Sequence, residues 1–184
     1  PRDKLIVITG LSGSGKSSVA VLVEQKLLEH GCPAYILDGD NLRHGLNADL
    51  GFSMADRAEN LRRLAHIATL MADAGLTVLV PVISPLEEHR ELARKVHTDQ
   101  GMEFFEIFVD TPFEECARRD PKGLYARALK GEIKNFTGVD SPYEAPEHPG
   151  DDEQDSGGDQ RSGLETERHL ATDERSGGDG DGHP

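Results

Sequence analysis

Eight consecutive residues have the types and spacing to handle phosphate: Gly10, Leu11, Ser12, Gly13, Ser14, Gly15, Lys16 and Ser17. They fit the P-loop pattern G-x-x-x-x-G-K-[ST]. Glycines there let backbone N–H groups curl around phosphate oxygens with no Cβ in the way. A helix starting at the end of the loop adds its partial positive charge. The lysine can reach β- and γ-phosphate oxygens, and the serine hydroxyl is an oxygen ligand for Mg²⁺. Such a string also arises by chance in Gly/Ser-rich turns, so its flanks matter. Leu5, Ile6, Val7 and Ile8 form a short apolar run that reads as a buried strand. Val19, Ala20, Leu22, Val23, Lys26 and Leu27 follow with helical spacing. Strand, glycine turn and helix are the context the pattern requires. The motif alone does not separate a kinase from a GTPase or a motor.

Three further groups carry candidate chemistry. Asp38-Gly39-Asp40-Asn41, with Arg43 close behind, follows the short apolar run 34–37. In open α/β sheets, functional groups collect at the carboxyl ends of strands. A solvated Asp/Gly/Asn turn explains the same residues equally well. Arg57 and Asn60 share a face in the first turn of a helix whose start is marked by Ser53 and Asp56 at capping-box spacing. An arginine at that end fits anion binding better than dipole compensation, although a surface salt bridge is the commoner use. Residues 122–146 hold Gly123, Gly131, Gly138, Pro142, Lys130, Lys134 and Phe136. That composition suits a mobile lid carrying charge to a phosphate, or an ordinary loop.

The elements that must position these groups can be read in order. A first helix is expected over 17–30, stopped by Gly31 and Pro33. A second strand follows at 34–37, and the helix after Ser53 carries the stripe Leu61, Leu64, Ala65, Ala68, Met71 and Ala72. A third strand is expected over 77–83, nearly all apolar as a strand covered on both faces should be. Pro81 sits awkwardly in it because proline cannot donate to a ladder. A helix over 87–97, a strand over 104–109 and a short helix over 113–119 complete the pattern. No internal repeat is visible.

The 184 residues suit one domain, with 34 acidic and 20 basic side chains and a formal charge of −14. That balance argues against a general nucleic-acid binder, which needs a basic face. Much of it lies in the last 34 residues, where eleven acids stand against three arginines, with seven glycines and no aromatic. The stretch 151–184 is therefore expected to be disordered, since it has too little apolar surface to offset chain entropy. Residues 1–150 carry 23 acids and 17 bases, only −6. The two cysteines, Cys32 and Cys116, form no C-x-x-C pair and read as free thiols of a reducing, cytoplasmic compartment. The histidines form no zinc spacing. No apolar run approaches the ~20 residues of a membrane span. The N-terminus has no signal-peptide core, and its missing Met fits a chain cut from a longer product.

At this point the residues resemble one family, adenylyl-sulfate (APS) kinase. The resemblance runs from Lys4 to Pro149 and rests on GLSGSGKS, DGDNLRHGL, FSMADRAENLRR, ISP at 83–85, FVDTP at 108–112, RDPKGLY at 119–125 and GEIKNFTGVDSPYEAPE at 131–147. The last block and the DGDN–R pair are specific to the family, whereas the P-loop is generic. The resemblance implies an α/β P-loop NTPase fold, three layers α/β/α around a mostly parallel sheet. It implies transfer of the ATP γ-phosphate to the 3′-hydroxyl of APS, giving PAPS (3′-phosphoadenylyl sulfate) and ADP in sulfate assimilation. Gly10, Leu11, Ser12, Gly13, Ser14, Gly15, Lys16, Ser17 and Ser18 would hold ATP, with Mg²⁺ on Ser17 and Lys16 neutralising the moving phosphoryl group. Cys116 and Arg119 resemble residues near the ATP adenine. Asp40 is similar to the family carboxylate beside the attacking hydroxyl. Arg43, Arg57 and Asn60 resemble the groups that hold the phosphosulfate and ribose. Phe52 and Phe136 look like the rings that sandwich the APS adenine, with Ile83 and Ser84 lining the pocket. Lys122 resembles a lid contact to substrate phosphate. Ser84 is kept as a catalytic candidate because the serine of ISP is a proposed phospho-intermediate in some bacterial members; direct in-line transfer is the alternative. A homodimer, and fusion to or association with a sulfate adenylyltransferase, are also implied. The pattern departs at the C-terminus, where family members continue with a further strand and an amphipathic helix that the polar tail does not match. Two other readings follow: a nucleotide-binding remnant with little or no activity, or another small-molecule P-loop kinase.

Overall fold

The computed structural model describes residues 4–147; the chain divides into units 1–152 and 153–184, and everything described belongs to the first. The expectations about the tail and the C-terminal strand and helix lie outside the described residues. The elements in order are β1 (Lys4–Thr9), α1 (Lys16–Glu29), β2 (Ala34–Ile36), α2 (Gly39–Arg43), α3 (Met54–Asp73), β3 (Thr77–Pro81), α4 (Glu87–Thr98), β4 (Glu103–Phe108), α5 (Phe113–Arg119) and α6 (Leu124–Leu129).

The described strands form one parallel sheet in the order β2-β3-β1-β4. Leu5 pairs with Val78 on one side and Phe104 on the other. Side chains alternate across a strand, so each strand feeds two cores. Leu5, Val7, Val78, Val80 and Phe104 face Leu61, Leu64, Ala65, Ala68 and Ala72 of α3 and Ala93 of α4. Ile6, Ile8, Leu79 and Ile107 meet Val19, Ala20, Val23 and Leu27 of α1. The result is the expected three-layer α/β/α arrangement around a parallel sheet. Neighbouring strands β1 and β3 send their chains to opposite faces, which opens a crevice at their carboxyl ends.

Three local expectations need correction. β3 stops at Pro81 instead of residue 83. Alternate amides of a strand face alternate neighbours. Thr77 N–H donates toward β2 (Pro33 O, 2.8 Å) and Val82 N–H toward β1 (Ile8 O, 3.0 Å), so position 81 faces β2. Leu37 N–H still donates to Leu79 O (2.8 Å), and the donor that Pro81 lacks is the next one toward β2, so the β2–β3 ladder goes no further. The Asp38–Asn41 stretch is not a plain turn: Asp38 Oδ1 accepts from Asp40 N–H (2.7 Å) and Asn41 N–H (3.2 Å), capping the short helix α2. The 122–146 stretch contains α6, whose Tyr125 and Ala128 are buried with Cys116 and Phe136 in a core of their own.

Candidate active site

The P-loop joins β1 to α1. Gly10 has φ +146°, and a Cβ there would lie 2.8 Å from Val109 O, so only glycine fits both the backbone and the space. Ser14 N–H donates to Leu11 O (3.1 Å), closing the turn. Gly15, with φ +107°, is the N-cap of α1; no side chain caps that end and no acid stands in its first turn. In contrast, α2 and α3 are capped by Asp38 and Ser53, each with an Asp in the first turn. α4 and α5 also have no side-chain cap but carry two acids each in the first turn, and Asp120 accepts from the first amides of α6, so among the described helices the α1 amides are the ones open to an external anion. Ser17 and Ser18 lie exposed on its first turn.

Lys16 Nζ donates to Leu11 O (2.6 Å). Burial pushes its ammonium down from 10.5 to about 8, partly offset by the nearby Cys116 and Asp40 and reinforced by Lys122. Asp40, from α2, and Lys122, from the turn before α6, form an exposed ion pair of 2.7 Å. That bond raises the Lys122 ammonium above its ordinary range. One carboxylate and two ammonium groups, spread over more than a hundred residues of sequence, therefore meet beside the uncapped start of α1.

Two arginines belong to neighbouring helices, Arg43 to the last turn of α2 and Arg57 to the first turn of α3. Arg43 sits 4.6 Å above the ring of Phe52, a cation–π contact, and donates to Gly51 O (2.9 Å). Arg57 donates to Phe52 O (3.0 Å), Asn135 O and Thr137 Oγ1, so one guanidinium joins the start of α3 to the segment carrying Phe136. Burial, then the charge of Arg43, lowers the Arg57 pKa. Phe52 is 62% exposed, whereas Phe136 packs edge-on against Tyr125 with centroids 5.0 Å apart.

Other expected site residues are placed differently. Asn60 is turned inward: it is buried and its Oδ1 accepts from Asn47 Nδ2 (3.0 Å). Cys116 is fully buried behind the P-loop and donates to Thr111 O, while Arg119 is exposed and donates to Glu115 (2.7 Å). Ile83 O accepts from Thr9 Oγ1 (2.7 Å). Ser84, with φ +44°, is only 3% exposed, and its carbonyl accepts from Arg90 Nη1 (3.0 Å). Arg90 is itself buried in a 2.7 Å ion pair with Glu106. An open depression of about 610 Å³ beside Leu11, lined by Phe113 and residues 138–143, contains neither the Lys16 group nor the arginines. Both cysteines are free thiols. No helix among the described residues is long and apolar enough to cross a membrane, and no cluster of three or more His, Cys, Asp or Glu is placed there to hold a metal.

Sequence reasoning missed several supporting groups. Asp38 was legible as an N-cap, an acid preceding two free amides. Asn47, Thr111, Tyr125 and Thr137 gave no local signal, because their partners are Asn60, Ser14, Ser12 and Arg57.

With this geometry established, comparison with known proteins gives a consistent result. A family model described as adenylylsulphate kinase matches residues 2–151. The bifunctional enzyme CysN/CysC of Mycobacterium tuberculosis (strain ATCC 25618 / H37Rv) is 73% identical over 149 residues, 81% of this chain and 24% of that protein. The chain thus spans about a quarter of the length of that relative. The adenylyl-sulfate kinase of Clostridium acetobutylicum is 57% identical over 148 residues, covering 80% of this chain and 72% of the relative. Among solved structures, the Mycobacterium tuberculosis APS kinase CysC in complex with AMPPNP and APS matches with a TM-score of 0.79 and 73% identity, covering 81% of this chain and 86% of that one.

Proposed function

This chain belongs to the adenylylsulphate kinase family, with a P-loop NTPase fold, and from that premise we propose that it transfers the γ-phosphoryl group of ATP to the 3′-hydroxyl of APS, yielding PAPS and ADP. The observation that carries the reading is the meeting of Lys16, Asp40 and Lys122 at the uncapped start of α1. Phosphoryl transfer asks a protein mainly for positioning and charge neutralisation.

The residues fit ATP. The α1 amides and the glycine-lined loop donate to its phosphates, and Lys16 exchanges Leu11 O for the β/γ-phosphate oxygens. They fit Mg²⁺ as well, since this ion usually takes one or two protein oxygens plus substrate phosphates, and the exposed Ser17 hydroxyl provides such an oxygen. When bound, the ion neutralises developing phosphate charge. Asp40 faces the acceptor hydroxyl as hydrogen-bond acceptor, and Lys122 holds its carboxylate in place. The planar guanidinium groups of Arg43 and Arg57 suit the phosphosulfate oxygens. Phe52 offers an exposed ring to the acceptor base, with Phe136 joined to the same side through Arg57.

The bifunctional relative supports a module that works joined to or beside a second activity. Sulfate adenylyltransferase, which makes APS, has the fitting chemistry, and a cytoplasmic homodimer is the assembly we assign. The test is PAPS and ADP formation by the 184-residue chain given ATP, Mg²⁺ and APS. Turnover that requires APS supports the proposal. Folded protein that binds ATP without turnover would favour the nucleotide-binding remnant, and turnover with a nucleoside or sugar in place of APS would favour another kinase.

A further inference from the structure

Two side-chain hydroxyls hold the P-loop from behind. Tyr125 OH donates to Ser12 O (2.8 Å), and Thr111 Oγ1 donates to Ser14 O (2.9 Å). A trans peptide is planar, so its N–H points opposite to its C=O. Fixing Ser12 O toward Tyr125 therefore turns the Gly13 N–H away from Tyr125. Fixing Ser14 O toward Thr111 does the same for the Gly15 N–H. The intervening Ser14 N–H is consumed within the loop by Leu11 O. The loop thus offers alternate amides to an anion, and the choice is set by residues about a hundred positions away.

Both hydroxyls are firmly placed. Tyr125 is 1% exposed, its backbone N–H donates to Asp120 Oδ1 (3.0 Å), and its ring lies edge-on between Phe113 (5.6 Å) and Phe136 (5.0 Å). Thr111 N–H donates to Val109 O (2.9 Å), and its carbonyl accepts from Cys116 Sγ. The loop lies close against this support: a Cβ on Gly13 would stand 3.4 Å from Cys116 O. Tyr125 also touches the acceptor side, because Phe136 is followed by Thr137, which receives Arg57.

We propose that Tyr125 and Thr111 are positioning residues that orient the Gly13 and Gly15 amides for the nucleotide phosphates, and that Tyr125 links this loop to the ring of Phe136. The inference rests on the ATP-binding reading above. Tyr125→Phe removes the hydroxyl and keeps the ring. It should weaken AMPPNP binding about 3- to 10-fold, the range of one hydrogen bond, and leave APS affinity within about 2-fold. Thr111→Val should act alike on AMPPNP. Tyr125→Leu, which also removes the ring, should weaken APS as well. Binding is measured by calorimetry well below the melting temperature, alongside the Gly13 and Gly15 amide resonances. The Gly13 amide should shift in Tyr125→Phe and the Gly15 amide in Thr111→Val. A Tyr125→Phe protein with a lowered melting temperature and unchanged AMPPNP affinity would overturn the proposal, leaving the tyrosine a structural role. A wild-type chain that does not bind AMPPNP would remove the ATP reading itself, and this inference with it.

Discussion

Raising the pH from about 7 to about 9.5 should weaken ATP binding about 30-fold through a single group, Lys16. Its burial holds the free ammonium at about 8 instead of 10.5. On the proposed reading ATP needs the charged form, and its phosphates would restore that charge once bound. Affinity therefore falls with the protonated fraction of the free lysine, about one-tenth at pH 9 and about 3% at pH 9.5. Calorimetry in two buffers of different ionisation enthalpy should record uptake of about 0.9 proton per ATP at pH 9. Stability runs the other way. The folded pKa lies below the unfolded one, so the folded chain binds fewer protons between about 8 and 10.5. Burying the charge costs about 3 kcal/mol at neutral pH, and this cost is relieved as the pH rises through that window. Lys16→Met should then bind ATP poorly with no pH slope of this kind. It should also unfold at neutral pH about 2 kcal/mol harder than wild type, after subtracting the ~1 kcal/mol hydrogen bond to Leu11 O. That gap should close at about pH 9.5 and reverse by about 1 kcal/mol at pH 10.5. A wild-type ATP affinity that stays flat from pH 7 to 9.5, or a slope that survives in Lys16→Met, would refute the reasoning.

Arg57→Ala removes the guanidinium that joins Phe52 O to residues 135 and 137. APS binding should weaken about 10- to 100-fold, the scale of charge-assisted hydrogen bonds, with ATP binding changed less than about 3-fold; equal losses would put Arg57 outside the acceptor site. His97 is fully buried beside Thr69 Oγ1 (3.0 Å), which donates to Ala65 O and so receives the Nδ1 proton. Burial, with a smaller push from His66, holds its pKa at about 4 against 6.5, so the unfolded chain binds the extra proton. Stability from this group is complete above about 6.5 and declines by about 3 kcal/mol as the pH falls to 4; urea unfolding should lose that portion of its pH slope in His97→Gln, and an identical slope in both proteins would reject the assignment. Gly10→Ala would force a Cβ to 2.8 Å from Val109 O at φ +146°. ATP affinity should drop more than about 10-fold, consistent with strain of about 1–3 kcal/mol, and wild-type affinity would mean that the loop has slack to spare.

Local signals fixed the start of this protein well. The P-loop glycines, the apolar run before them and the helical spacing after them need only neighbours in sequence. Ser53 and Asp56 likewise announce α3, because a cap bonds within one turn: Asp56 N–H donates to Ser53 Oγ (3.1 Å). The nearly all-apolar β3 signalled coverage on both faces, and α1 and α3 provide it on opposite sides. The family motifs named the residues to watch, but not their surroundings. Only the folded chain set Asp40 against Lys122, Arg57 against Thr137, and Tyr125 against Ser12. It alone buried Asn60, Cys116 and Ser84, ended β3 at Pro81 and made residues 124–129 a helix. Contacts between residues 80 or more apart leave no period in the sequence. They exist because the sheet order places the ends of β1, β3 and β4 side by side, and burial there decides which hydroxyls, amides and charges find partners.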